Sequence, residues 1–275
     1  MRAAAVQLNS TDDKQRNLET AERLVRAAAD DGAELIALPE KWNLLVGGEE
    51  LLAGAEPLDG PTITAVRSWA RELGVHVVAG SIAERDPDHD KLFNTSVLVD
   101  PHGEIEATYR KIHMFDVDVG GVAYRESEHE DPGTEIVIAP VGDVQVGMTV
   151  CYDLRFPELY RILAVRGARV IVVPAAFTLH TGKDHWEPLL RARAIENQAF
   201  VVAPNHLGEA PPHYHSYGRS MIVDPWGVIL ATAGDGETFI AAELDFEHQD
   251  RVRESLPSLA NRRPESYTWP EEIRA

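Results

Sequence analysis

Cys151, the only cysteine of the chain, follows an apolar run at residues 144–150 and precedes Tyr-Asp-Leu-Arg-Phe-Pro157. That is a layout of strand, turn, nucleophile and helix, with Pro157 suited to the first helical turn. A thiol at such a turn lies near a helix N-terminus and near Arg155, and both favour thiolate. A lone cysteine is more often a small buried hydrophobe. Here Asp153, Arg155 and Glu158 all fall within seven positions, an expensive neighbourhood for an inert core thiol. Glu40 ends the run Glu34-Leu-Ile-Ala-Leu-Pro39, so the chain delivers a carboxylate to a strand's C-terminal edge, where open α/β sheets place their ligands. Alone, it reads equally as a solvated loop acid. Lys111 follows another alternating strand and, beside Arg110, says little by itself. His113 could act as base to a thiol, yet between Ile112 and Met114 it reads first as a packed, hydrogen-bonded residue.

Positioning these groups requires strands. Short β-branched runs at residues 3–8, 34–38, 75–80, 95–100, 104–109, 135–140, 144–150, 169–174, 199–204, 220–224, 228–232 and 238–243 predict them. Helical periodicity marks residues 14–30, 62–73, 157–166 and 184–198. Other neighbouring strands are joined by tight turns, Asp100-Pro-His-Gly103 and Asp224-Pro-Trp-Gly227. A mixture of βαβ units and hairpins fits two mixed sheets with helices on their outer faces, an α-β-β-α sandwich, better than one doubly wound sheet. The repeated Asp-Pro-x-Gly hints at internal duplication, but two four-residue turns are weak support and chance is the simpler account. No linker or low-complexity stretch divides the chain, which reads as one domain over residues 1–275.

The 275 residues are 44% hydrophobic and 26% charged, enough material for a substantial core. A formal net charge of −19 repels phosphate backbones and anionic lipids, so neither nucleic acid nor a membrane surface is an expected partner. No apolar run approaches the ~18 to 20 residues needed to span a bilayer, and the start lacks a signal peptide's pattern, which predicts a cytoplasmic protein. The sequons at Asn9 and Asn94 then mean little. One cysteine excludes an intrachain disulfide and cysteine-rich zinc sites. His206, His213 and His215 lack a His-Glu-x-x-His pattern and read as residues of a solvent-exposed, Pro-rich loop, so no metal or other cofactor is expected.

Taken together, Leu-Pro-Glu40, Tyr-Arg-Lys111-Ile-His-Met-Phe-Asp and Val-Cys151-Tyr-Asp-Leu-Arg-Phe-Pro-Glu158 resemble, in order and spacing, the three signatures of the nitrilase, or carbon-nitrogen hydrolase, superfamily. The likeness extends into residues 182–196 and 216–227. It implies an α-β-β-α sandwich, pairing through helices into a homodimer or higher oligomer, and a triad of Glu40 as general base, Lys111 as electrostatic stabiliser and Cys151 as nucleophile. The backbone N–H of Tyr152 would share the oxyanion with Lys111. The superfamily's second acid has three candidates, Glu126, Glu128 and Glu130; it is placed at Glu126, fifteen residues beyond the lysine, with Glu128 as runner-up, and the run could otherwise be a solvated loop. Cys-Tyr-Asp is similar to omega-amidases and deaminated-glutathione amidases, whereas nitrilases carry Cys-Trp-Glu and carbamoylases Cys-Asn-Asp. The resemblance thus implies a thiol amidase acting on small linear amides whose far end bears a carboxylate. Arg155 is the candidate cation for that end, unless it pairs with Asp153 or Glu158, and Phe115, Tyr152 and Phe177 are candidate walls. Lys183 and Arg191 could join Arg155 in a positive mouth. The alternatives are a nitrilase or carbamoylase on this scaffold and a catalytically silent binding protein. Two departures from the pattern, Lys41-Trp-Asn after Glu40 and Val119-Gly-Gly-Val-Ala, suggest entrance loops selecting a different amide.

Overall fold

The first strand, β1 (Arg2–Gln7), decides the layering: Ala3 and Ala5 face one apolar cluster while Ala4 and Val6 face another. A strand buried on both faces needs cover on both sides. The computed structural model describes residues 1–212 and 214–267. After β1 come α1 (Lys14–Asp30), β2 (Leu35–Ala37), α2 (Gly48–Gly54), α3 (Pro61–Leu73), β3 (His76–Val78), β4 (Ile82–Glu84), β5 (Phe93–Val99) and β6 (Ile105–Arg110). The middle of the chain forms β7 (Asp116–Val119), β8 (Val122–Arg125), β9 (Ile138–Val141), β10 (Val144–Met148), α4 (Pro157–Val165), β11 (Val170–Val172) and α5 (Leu179–Asn197). The remainder supplies β12 (Phe200–Ala203), β13 (Leu207–Ala210), β14 (Tyr214–Tyr217), β15 (Met221–Val223), β16 (Ile229–Thr232), β17 (Thr238–Glu243) and α6 (Phe246–Ser255).

One sheet runs β17-β1-β2-β3-β5-β4 with β6 also on β5; the other runs β16-β15-β12-β11-β10-β9. Helices α1 and α3 close the outer face of the first through Leu24, Val25, Val66 and Trp69. Helices α4 and α5 close the second through Leu159, Leu163, Trp186 and Leu190. The result is the four-layered α-β-β-α sandwich expected from the strand and hairpin pattern.

The two sheets repeat one plan. Three parallel strands, β1-β2-β3 or β10-β11-β12, are flanked by an antiparallel strand on one side, β17 or β9, and by an antiparallel hairpin on the other, β5-β6 or β15-β16. The two Asp-Pro-x-Gly turns close the corresponding hairpins in the same way. Asp100 Oδ1 accepts from the N–H of His102 and Glu104, and Asp224 Oδ1 from those of Trp226 and Val228, all at 2.8–2.9 Å. Chance recurrence is therefore the wrong account of these turns: they occupy equivalent places in a repeated topology.

Other expectations need adjustment. Helix α5 begins at Leu179, five residues earlier than its apolar periodicity, because Thr178 caps it. The two-stranded pairs β7-β8 and β13-β14, the short β4, and helices α2 and α6 carry no apolar alternation or stripe strong enough to predict them. Gly120 and Gly121, both at positive φ, make the two-residue turn of β7-β8. Among the described residues no helix is long and apolar enough to cross a membrane.

One glycine directly supports the strand end that carries Glu40. Gly80 has φ +58°, and a Cβ there would lie 1.9 Å from the Pro39 carbonyl oxygen. Gly80→Ala combines left-handed strain with a backbone clash, and we expect it to lower stability by about 3 kcal/mol or more. An unfolding midpoint in urea within error of wild type would refute this.

Candidate active site

The C-terminal ends of the parallel strands and the end of β6 converge on one cavity of about 350 Å³. Glu40 leaves the end of β2, and the ring of His206 bridges the Leu8 carbonyl at 3.0 Å and the Glu40 carbonyl at 2.6 Å, tying that turn to β1. Lys111 follows β6, its N–H donating to the Asn94 carbonyl of β5 at 2.9 Å. Cys151 opens a 3-10 turn, Cys151–Arg155, at φ +45°, with its N–H on the Pro174 carbonyl at 2.8 Å. A non-glycine residue there costs about 1–3 kcal/mol, and the surroundings must hold it. Asp153, wholly buried, does much of that holding: Oδ2 accepts from the Tyr109 hydroxyl at 2.6 Å and the Val150 N–H at 2.8 Å, while Oδ1 lies 2.7 Å from His113 Nδ1. His113 also stacks on Phe156 at 3.6 Å. It is thus a support of the turn, as its apolar neighbours suggested, and no base to the thiol.

The four residues singled out for chemistry are brought together. Lys111, 1% exposed, donates to Glu40 Oε1 at 3.0 Å and to Glu126 at 2.9 and 2.7 Å. Asn94 donates to the same two carboxylates at 2.8 and 3.1 Å, and the N–H groups of Ala176 and Phe115 donate to Glu40 Oε2 at 2.9 Å and Glu126 Oε2 at 2.7 Å. Burial pushes both carboxyls up, but Lys111 and the remaining positive groups outweigh it and hold both below the usual range. Burial likewise works against the Lys111 ammonium, and Glu126 with Glu40 reverses that, keeping it charged far into alkali.

The thiol departs from expectation. Burial first, and the Glu40 carboxylate second, push Cys151 well above the ordinary thiol range, outweighing Lys111. Helix-end polarity and Arg155 do not produce a resting thiolate, because the thiol is desolvated and the Glu40 carboxylate acts on it more strongly than Lys111 does. The thiol and the Glu40 carboxylate line the same cavity, and the carboxylate's charge keeps the proton on sulfur.

Arg155 lines the cavity, and its guanidinium carbon lies 5.1 Å from the Phe177 ring centroid and 5.9 Å from that of Tyr152. It pairs with neither Asp153 nor Glu158. Phe115 and Phe177 are also in the wall, and Phe115 meets Tyr152 edge-on at 5.0 Å. Lys183 and Arg191 are not in the wall; Arg191 is held by the Gly227 carbonyl at 2.9 Å. Glu128 reaches the wall without touching Lys111. Of the three histidines, His206 is a buried strut and His215 is exposed on β14, while His213 lies outside the described residues. Among the described residues no group of three possible metal ligands gathers.

Sequence reasoning missed several contributors. Asn94 stood out only as a sequon, Lys41 only as a departure from the superfamily pattern, and Glu130 only as the third candidate for the second acid, though both Lys41 and Glu130 are buried beside Glu126.

A profile of carbon-nitrogen hydrolases matches residues 2–254. The chain belongs to the carbon-nitrogen hydrolase family. It is 37% identical over 268 residues to the omega-amidase NIT2 of Xenopus tropicalis, covering 97% of this chain and 96% of that one. It is 41% identical over 264 residues to the deaminated glutathione amidase of Synechocystis, covering 94% and 97%. Saccharomyces cerevisiae Nit3, a nitrilase-superfamily member, superposes with a TM-score of 0.86 at 33% identity, covering 94% of each chain. This carbon-nitrogen hydrolase is accordingly an enzyme of the amidase type, and Cys151 is placed as a thiol nucleophile requires.

Alkylation by iodoacetamide reads the thiol directly. Its pH midpoint should lie above the ordinary thiol range in the wild type and fall in Glu40→Gln, which removes the neighbouring negative charge while leaving Lys111. A midpoint that stays put or rises would contradict the electrostatics given above.

Proposed function

We propose that this hydrolase releases ammonia from a small linear amide bearing a distal carboxylate, by way of a thioester on Cys151. The observation that carries this reading is the convergence of Glu40, Lys111 and Cys151 on one cavity, with the Lys111 ammonium held 3.0 Å from Glu40 Oε1. Glu40 takes the thiol proton as Sγ attacks the carbonyl carbon, and the oxyanion that forms is met by Lys111 and the Tyr152 N–H. The Tyr152 N–H, one residue into the 3-10 turn, has no other acceptor among the described residues. A fixed donor at this position is worth about 3–4 kcal/mol of transition-state stabilisation. Glu40 then passes its proton to the leaving nitrogen, the C–N bond breaks, and ammonia departs. Water activated by Glu40 attacks the thioester, the C–S bond breaks, and the thiol regains its proton. Glu126 also holds the Lys111 ammonium, at 2.7 and 2.9 Å.

Arg155 supports the carboxylate-bearing class. Of the arginines and lysines lining the cavity it alone makes no carboxylate contact among the described residues, whereas Lys41, Lys111 and Arg125 are all paired. The keto-acid amides acted on by omega-amidases and deaminated glutathione amidases present such a group. The chain is further proposed to pair through the outer helices of the second sheet, since Ile162 and Val165 of α4 and Ile195 of α5 stand 39%, 50% and 48% exposed.

Ammonia release should be measured from α-ketoglutaramate, deaminated glutathione, glutamine, a simple aliphatic amide and a nitrile, each with and without chelator. Cys151→Ala should lose at least about a thousandfold in kcat, and chelator should change nothing. Product from the nitrile alone would move the enzyme to the nitrilase reading, and carbon dioxide from a carbamoyl compound to the carbamoylase one. Arg155→Leu should raise KM for the carboxylate-bearing amides about 10- to 100-fold and leave the simple amide unaffected. An equal effect on both would remove Arg155 from substrate recognition.

A further inference from the structure

Lys41 and Glu130 have no part in the chemistry described so far, yet they are buried against it. Lys41 follows Glu40 directly, sits at φ +45°, and is fixed by its N–H on Ser81 Oγ at 3.0 Å. Its ammonium reaches Glu130 Oε2 at 2.6 Å and Glu126 Oε1 at 3.3 Å. Glu130 is 1% exposed, and its other oxygen, Oε1, receives no donor among the described residues. A carboxylate with one desolvated, undonated oxygen is costly; as an acid, the same group becomes a donor, and the Glu126 carboxylate beside it is an acceptor. Glu130 is itself anchored, since its N–H donates to the Glu126 carbonyl at 3.0 Å and the neighbouring Asp131 N–H to Leu92 at 2.8 Å. Leu92 leads into β5, which carries Asn94.

We propose that Lys41 and Glu130 are positioning residues that together fix the orientation and charge of Glu126, and through it the Lys111 ammonium, with Glu130 acting as the neutral acid whose proton lies between it and Glu126. The proposal rests on the reading of Glu126 and Lys111 as part of the catalytic apparatus. The groups facing Glu130 are Lys41 from the turn after β2, Glu126 from its own turn and Tyr214 from β14, with Lys111 and Glu40 behind them. Burial, outweighing Lys41 and joined by Glu126, raises the Glu130 carboxyl to about 8. Above that pH a second carboxylate appears next to Glu126, Lys41 is drawn between two anions, and the hold on Lys111 slackens.

Three variants test this with the full chain: Glu130→Gln, Glu130→Leu and Lys41→Met. Glutamine can donate to Glu126 and accept from Lys41 but cannot ionise, so kcat at pH 7 should fall less than threefold and the decline of kcat around pH 8 should vanish. Leucine removes both the donor to Glu126 and the acceptor for Lys41, and kcat should fall tenfold or more with KM changed less than threefold; Lys41→Met should do the same. A second readout needs no substrate. Infrared spectra of the wild type should show a protonated carboxyl band that titrates near pH 8 and is missing in Glu130→Gln. An unaltered alkaline limb in Glu130→Gln, or a glutamine variant as impaired as leucine, would overturn the proposal. So would a band that is absent at neutral pH. If instead the infrared band behaves as expected while Cys151→Ala keeps full activity, the pair stands and the catalytic reading fails.

Discussion

Charges taken out of water must be answered at short range, and this molecule buries three glutamates and two lysines around one cavity floor. No single element could answer them. Glu40 and Lys41 come from the end of β2, Asn94 from β5, Lys111 from the end of β6, Glu126 and Glu130 from the turn after β8, and Ala176 from the end of β11. Breaking a buried pair by displacing one partner costs about 3–5 kcal/mol, because the other charge is left unmatched. The hydrogen bond from Ala176 to Glu40 is therefore more than a local contact: it joins the second sheet to a carboxylate belonging to the first. The β-sandwich and the site are stabilised by the same set of bonds, and the strained backbone at Lys41 and Cys151 is tolerated because both lie inside it.

That arrangement also explains why a neutral thiol suits the chemistry. A thiolate stored beside Glu40 would place two negative charges in contact in a desolvated site. In the proposed mechanism the proton kept on sulfur moves to Glu40 on attack, while negative charge appears on the carbonyl oxygen. The total charge of the cluster is the same before and after, and one carboxylate that Lys111 had been neutralising is replaced by the oxyanion it must neutralise next. Little reorganisation is required, which is the condition under which fixed polar groups contribute most to a reaction.

Much of this was legible in the chain. Strands and helices buried on an apolar face announced themselves, and α1 runs from Lys14 to Asp30 as its periodicity indicates. Glu40, Lys111 and Cys151 could be found because each follows a strand whose pattern is strong. The rim could not. The β7-β8 hairpin reads Asp-Val-Asp-Val, Gly-Gly, Val-Ala-Tyr-Arg; it alternates, but its strands are only four residues long and neither buries a residue fully, so the pattern is too short to stand out from a loop. Asn94 is invisible for a different reason: an asparagine within a strand carries no mark of which carboxylates it will meet across the fold. Lys41 and Glu130 lie far apart in sequence, and only the tertiary structure makes them a pair.

The repeated sheet plan gives the asymmetry of the site its meaning. In the first sheet the parallel strand next to the antiparallel flank, β1, ends at Gln7 and leads only to Leu8, whose carbonyl serves the His206 strut. Its counterpart in the second sheet, β10, leads to the nucleophile. The carboxylate base follows β2, and the strand corresponding to β2, β11, is followed by Ala176, a bare backbone donor to that same carboxylate. Equivalent strand ends thus supply unlike groups: one half delivers charge and the other receives or supports it. Lys111 and Asn94 hold Glu40 from within the first half, but the Ala176 N–H and the Cys151 thiol come from the second, so neither half assembles the proposed site from its own strand ends, and the face-to-face packing of the two sheets serves the site as well as the core.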